Sequence, residues 1–200
     1  MKKTLNINNN QPTEVVILAG GLGSRIMEET IVKPKPMIEI GGKPILWHIM
    51  KIFSSQNINK FIICLGYKGY IIKEYFLNYL YHNSNFQINT MTSSIKNLNR
   101  VTSENWTIDF VDTGYDTMTA NRLLKASKYI TNDNFFMTYG DGLAKINIKK
   151  LVNSYLKSKK IATLTAVTPP ARFGHLELEG NNVIGFTEKK YNEKTNKNLI

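Results

Sequence analysis

Apolar residues fall along this chain in two alternating patterns. Short unbroken runs, rich in β-branched and aromatic residues, occupy 14–19 (EVVILA), 60–66 (KFIICLG) and 134–139 (NFFMTY), and each meets a glycine at its end. Such runs predict strands buried on both faces, the habit of a parallel sheet. Segments with helical spacing lie between them. Residues 45–54 carry Leu46, Ile49, Met50 and Phe53 on one side, with Pro44 well placed for the first turn. Residues 69–82 put Ile71, Ile72, Tyr75, Phe76, Tyr79 and Leu80 on one stripe, which predicts a single amphipathic helix. A third helix is expected over 117–130, from Ala120, Leu123, Leu124, Ser127 and Ile130, and a fourth over 147–160. Further strands are expected at 86–92 and 107–111, with a polar loop between them, and at 161–167, 174–178 and 183–188.

Strands alternating with helices predict an α/β fold of three layers, a mainly parallel sheet covered on both faces. In such folds ligands gather beyond the carboxyl ends of the strands. Two strands here end in glycine-rich turns, one after Ala19 and one after Tyr139, and the chemistry is expected there.

Composition changes this picture only slightly. Hydrophobic residues make up 42% of the 200, enough for a core. No run of about 18 apolar residues suggests a membrane span. Residues 1–13 are polar and Asn-rich, lack the apolar stretch of a secretion signal, and are set aside as a flexible extension; the domain is expected over 14–200. The single cysteine, Cys64, lies in an apolar run, which points to a buried core position and fits a cytoplasmic protein. A net charge of +11 invites a nucleic-acid partner, but the lysines are scattered, apart from Lys157, Lys159, Lys160 and the pair Lys189-Lys190. Neither nucleic acid nor membrane is therefore an expected partner.

The turn Gly20-Gly21-Leu22-Gly23-Ser24-Arg25 follows the first strand directly. Its glycines let backbone N–H groups approach a phosphate, and Arg25 adds a planar fork of donors. It is no P-loop, for it lacks the Gly-Lys-Ser/Thr ending. The dinucleotide fingerprint that Gly21 and Gly23 begin is broken at Ile26. Taken alone, the segment is either a nucleotide or phosphate site or a tight structural turn.

A longer stretch narrows the choice. Residues 16–25 (VILAGGLGSR) and 33–45 (KPKPMIEIGGKPI) closely resemble the sugar nucleotidylyltransferases, and within them the glucose-1-phosphate cytidylyltransferases. Trp47-His48-Ile49-Met50, Gly66-Tyr67-Lys68-Gly69-Tyr70, Asp112-Thr113-Gly114, Thr117-Met118-Thr119, Arg122-Leu123 and Tyr139-Gly140-Asp141-Gly142 run in step with that family. So do 169–174 (PPARFG) and 186–189 (FTEK), so the likeness covers about 14–190.

The resemblance implies the Rossmann-like nucleotide-diphospho-sugar transferase fold and a magnesium-dependent transferase. A glucose 1-phosphate oxygen would attack the α-phosphorus of CTP, giving CDP-glucose and pyrophosphate for deoxysugar and cell-surface polysaccharide synthesis. The same chemistry with UTP, dTTP or GTP is the neighbouring alternative, and a CTP-binding chain without turnover is another. The attacking oxygen is already an anion, so the work is alignment and charge neutralisation. By matching position, Leu18, Ala19, Gly20, Gly21, Leu22, Gly23, Ser24 and Arg25 would wrap the nucleotide, with Thr117, Arg122 and Gly140 nearby. Lys35 would neutralise phosphate charge together with Arg25, Asp141 would hold Mg2+, and Lys189 would meet the sugar phosphate. Thr117 could equally be a helix N-cap, and His48 reads as structural. Asp109 and Asp112 lie at a spacing that sends them to opposite faces of a strand, so they are not taken as a metal pair.

Four departures stand out. Ser24 replaces a threonine, Ala120-Asn121 replaces an expected Gly-Gly and could crowd a ligand, and Lys190 replaces a proline. The family would also continue past Ile200 to a sugar-binding strand and a second metal carboxylate, so the domain is expected to be incomplete. The full-length family is expected to form homo-oligomers.

Overall fold

The computed structural model of the chain describes residues 11–21, 33–99, 103–166, 175–179 and 182–187. They divide into two compact units, Met1–Asn153 and Ser154–Ile200. The first is built on four strands: β1 (Glu14–Leu18), β4 (Lys60–Leu65), β7 (Thr107–Asp112) and β8 (Phe136–Tyr139). They pair in the order β7-β4-β1-β8, all parallel, with Val16 opposite both Ile62 and Met137.

Alternation along β1 and β4 explains the layers. Val15, Ile17, Phe61 and Ile63 face one way and pack under α1 (Ile45–Ser54), α2 (Gly69–Leu77) and the start of the helix Ile148–Ser158. Val16, Leu18, Ile62 and Cys64 face the other way and pack under Leu123 and Ala126 of the helix Thr119–Ala126. Both faces are covered, which is why the runs read as continuously apolar rather than alternating. The expected three-layer α/β architecture with a parallel sheet is what forms.

On the first face α1 buries Leu46, Ile49, Met50 and Phe53, the four positions its spacing marked. An aromatic cluster fills the adjoining space. Trp47 donates from Nε1 to the Tyr79 hydroxyl (2.8 Å), and its ring lies 6.2 Å from that of Trp106, which also packs on Phe61 and Phe76.

Several elements differ from expectation, each for a local reason. The helix expected over 69–82 breaks at Asn78, giving α2 and the short α3 (Tyr79–His82). Asn78 turns its side chain back onto the Glu74 carbonyl (2.9 Å), the competing bond that makes asparagine a poor interior residue. The expected strand at 86–92 shortens to β5 (Phe86–Asn89) and folds onto β6 (Ser94–Asn97), within what reads as a polar loop. Asn89 shapes this turn by accepting from the N–H groups of Met91 and Thr92. A second small hairpin, β2 (Glu39–Ile40) with β3 (Lys43–Pro44), closes through Gly41-Gly42 just before α1.

The helix expected over 117–130 begins at Thr119 as α4 (Thr119–Ala126) and tightens to a 3-10 turn over Ser127–Tyr129. The fourth expected helix forms as α5 (Ile148–Ser158). Residues 161–166 form no strand: Ile161 and Leu164 stay almost fully exposed, and among the described residues no strand pairs with the run. In the second unit β9 (His175–Glu179) and β10 (Asn182–Thr187) make an antiparallel hairpin whose register shifts between Val183 and Gly185.

At the amino end of the sheet Glu14 is 1% exposed, yet fully engaged. It accepts from Lys60 Nζ (2.7 Å), from the Thr131 backbone N–H (2.9 Å) and from the Thr131 hydroxyl. Burial alone would raise its pKa, but these donors outweigh burial and hold it below its ordinary 4.5.

Candidate functional site

The chain leaves β1 on one side of the sheet, passes through β4 to β7, and then crosses back to β8 on the other side of β1. The point of reversal therefore lies between the carboxyl ends of β1 and β8, where this kind of sheet opens a crevice. A cleft of about 230 Å³ lies there. Leu18, Ala19, Gly20 and Gly21 form one part of its wall, Lys35 and Pro36 another, Thr117, Met118, Thr119 and Arg122 a third, with Tyr139 and Asp141 at the end of β8.

Each wall has a local cause. Pro34 is held extended (φ −67°, ψ 148°), and Pro36 then enters a 3-10 turn over Lys35–Met37. Pro36 and Met37 are buried, which anchors the turn and leaves the Lys35 side chain 19% exposed in the cleft. Gly140 continues the ladder by donating to the Leu18 carbonyl (2.9 Å). A Cβ on Gly140 would come within 3.0 Å of Pro36 Cγ and 3.3 Å of Ala19 Cβ, so the β8 turn and the Lys35 turn pack closely across this glycine. Asp141 follows directly. Its carboxylate, 45% exposed, stands 3.8 Å from Lys35 Nζ, a loose pair whose members stay available to other charges.

Arg122 occupies a different situation. It is 5% exposed, one turn into α4. One terminal nitrogen donates to the Leu65 carbonyl (3.2 Å), the Thr113 hydroxyl (2.7 Å) and the Gly114 carbonyl (2.8 Å). The other donates to the carbonyls of Gly20 (3.0 Å) and Tyr115 (3.1 Å). Those oxygens belong to the last residue of β4 and to the segments that follow β1 and β7. Arg122 thus lines the cleft while its terminal nitrogens bind protein oxygens. Thr113, wholly buried, takes part twice, donating to the Leu65 carbonyl (2.6 Å) and accepting from Arg122.

The structure brings together Leu18, Ala19, Gly20, Gly21, Lys35, Thr117, Arg122 and Asp141 of the residues the sequence nominated, with Gly140 beside them. Leu22, Gly23, Ser24, Arg25 and Lys189 lie outside the described residues. Thr117 lies before the N-cap of α4, which is Met118 with no side-chain cap. Ala120 and Asn121 are exposed and are not among the described residues that line the cleft. His48 bonds the Ile40 carbonyl through Nε2 (2.8 Å), the structural task expected of it. Pro36, Met118, Thr119 and Tyr139 also line the cleft, although sequence reasoning gave them no role. Pro36, Met118 and Tyr139 each adjoin a nominated position and Thr119 lies two residues from Thr117, and that proximity was the available signal.

Among the described residues no group of three or more His, Cys, Asp or Glu side chains could hold a metal. Asp141 is the cleft's carboxylate there. That donor set suits a hard cation such as Mg2+, which binds through one or two carboxylates and takes its remaining oxygens from phosphate and water. Among the described residues no helix is long and apolar enough to cross a membrane.

Comparison with known proteins gives a consistent result. Residues 14–199 match the nucleotidyl transferase family. The chain is 51% identical over 177 residues to a glucose-1-phosphate cytidylyltransferase of Salmonella typhi, covering 88% of this chain and 68% of that protein. A probable glucose-1-phosphate cytidylyltransferase of Bacillus subtilis is 44% identical over 176 residues, with the same shares covered. Among solved structures, HddC from Yersinia pseudotuberculosis complexed with GMP-PN is similar at a TM-score of 0.55 and 27% identity, over 90% of this chain and 70% of that one.

Proposed function

Since this chain belongs to the nucleotidyl transferase family, and within it to the glucose-1-phosphate cytidylyltransferases, we propose that it joins CTP to glucose 1-phosphate, giving CDP-glucose and pyrophosphate. The observation that carries this reading is the pair Lys35 and Asp141 in a switch-point cleft floored by the Gly20-Gly21 turn.

The reaction asks for little acid–base work. A phosphate oxygen of the sugar phosphate displaces pyrophosphate at the α-phosphorus, and its charge already makes it a nucleophile. The barrier comes from bringing two anions together and from the charge that builds on the departing oxygens. The glycine turn offers N–H groups at close range to the triphosphate. Lys35, a compact charge on a flexible stem, follows phosphate oxygens as they move. Its 3-10 turn keeps the base of that stem fixed. Asp141 would hold Mg2+, which when bound supplies further neutralisation of phosphate charge. Arg25 and Lys189 complete the proposed set, at the leaving pyrophosphate and the sugar phosphate respectively.

The test is pyrophosphate release by the 200-residue chain with glucose 1-phosphate, Mg2+ and CTP, UTP, dTTP or GTP in turn. Release with CTP, and little with the other three, is the expected result. Preference for another nucleotide would overturn the cytidylyl assignment. The chain spans 68% of the length of the Salmonella relative, so turnover would also show that the matched portion suffices for chemistry.

A further inference from the structure

The β5-β6 hairpin carries a pattern that its own surroundings do not explain. Directly opposite residues of an antiparallel pair share a face. Phe86 with Asn97 and Ile88 with Ile95 therefore make one face, while Gln87 with Lys96 and Asn89 with Ser94 make the other. This is the alternation of a sheet that covers a core on one side only. Yet Phe86 is 40% exposed, Ile88 54% and Ile95 45%, and every residue of both strands is exposed. The apolar face runs on through Tyr81, itself exposed, whose ring lies 5.2 Å from that of Phe86. Among the described residues no further strand pairs with β5 or β6, so each keeps one open edge. A two-stranded hairpin alone is marginal in water and is secured when another layer covers it.

Charge decides what kind of layer fits. The chain has a net charge of +11 and 20% of its residues are charged, yet no Asp, Glu, Lys or Arg occurs from Tyr75 to Ile95. Molecules of like net charge repel, and they meet most easily through a face that carries none. An acidic partner would instead need cations to pair with, and Lys96, the charged residue of these strands, lies on the polar face. Aromatic and aliphatic side chains without charged neighbours are the composition of an interface centre. β5 also lacks the lysine or proline with which open edges are commonly guarded.

We propose that the apolar face of the β5-β6 hairpin, with Tyr81, docks a second copy of this chain, face on face about a twofold axis. Such a contact needs one self-complementary surface, and a neutral apolar face meets that condition. Ile88 and Ile95 of each molecule would lie at its centre. None of these residues lines the nucleotide cleft, so the contact does not depend on the reaction proposed above.

Sedimentation velocity of the 200-residue chain, over about a hundredfold range of concentration, should show monomer giving way to dimer or to an assembly built from it. Raising salt from about 50 to about 500 mM should tighten association several-fold, because it screens the repulsion between the two cationic molecules. Ile88→Lys and Ile95→Lys should each weaken association about 100-fold or more, since every contact would then bury two unpaired charges. Gln87→Lys, on the polar face, should associate like wild type. Far-ultraviolet circular dichroism should be unchanged in all three, as the positions are exposed. Where a lysine disturbs the hairpin, Ile88→Thr decides instead: it keeps the β-branch and should associate about tenfold more weakly. A monomer at every concentration would overturn the proposal, as would association that salt weakens or that Ile88→Lys, Ile95→Lys and Ile88→Thr leave unchanged. Equal weakening by Gln87→Lys would overturn it by showing that added charge, and not this face, matters. A chain that stays monomeric but binds vesicles of phosphatidylcholine and phosphatidylserine through Ile88 and Ile95 would assign the face to a lipid surface, against the proposal.

Discussion

At the scale of single residues the described chain holds two kinds of charged group. Lys35 and Asp141 are loosely paired, partly exposed and free to change partners, whereas Arg122 and Glu14 are locked by several short bonds each. Loose groups suit a reaction in which charge moves, and locked groups suit a scaffold. Asp141→Asn should therefore lower Mg2+-dependent pyrophosphate release by about 100-fold or more while leaving the melting temperature close to wild type, since among the described residues the carboxylate makes only its loose, exposed pair with Lys35. Activity within a few-fold of wild type would remove Asp141 from the proposed metal site. Glu14 predicts the opposite profile. Its folded pKa lies below 4.5, so its contribution to stability is present in full above that value and disappears as pH falls through the lowered pKa. Urea titrations between pH 7 and pH 3 should show wild type losing stability at the acid end. Glu14→Gln should be weaker at neutral pH and should lack that part of the slope.

At the scale of elements, the strands and helices that bury an apolar set were legible and the polar ones were not. The run of 14–19 and the stripe of Leu46, Ile49, Met50 and Phe53 carry enough burial to impose their period on the sequence. The strand at β5 was expected, though longer, but its partner β6 escaped because Ile95 stays exposed and the turn rests on the Asn89 side chain, a cue no periodicity reveals. The strand expected at 161–167 does not form over 161–166, for the converse reason: β-branched composition favours a strand only where another strand accepts it. Asn78 shows how one side chain can divide a stripe that otherwise reads as continuous. A core element should respond accordingly. Leu46→Ala, at a fully buried position on α1, should cost about 2–5 kcal/mol in denaturant unfolding, from lost burial plus the cavity left behind. A loss near zero would mean that α1 repacks freely over β1 and β4.

At the scale of the molecule, the cleft draws on residues from Leu18 to Asp141 that meet only because the sheet order reverses beside β1. Their chemistry could be read from the glycine turn and the lysine-rich loop after it, but their convergence could not, since strand order leaves no mark on local composition. The buried work of Arg122 was hidden in the same way, for a helix position tells nothing of carbonyls arriving from three strand ends. The same topology fixes where light-absorbing groups sit. Both tryptophans of the chain lie in the α1 and α2 layer, and Trp106 precedes the first residue of β7, the end of the strand opposite the cleft. Six residues of strand, at about 3.3 Å each, put roughly 20 Å between that end and the other. With rings 6.2 Å apart, the pair acts as one chromophore through rapid energy transfer. Tryptophan emission should follow the assembly of that layer during unfolding and stay nearly constant when CTP is titrated in. A reporter of nucleotide uptake has to be placed at the other end of the sheet, and Tyr139→Trp, on the cleft wall and 54% exposed, would supply one.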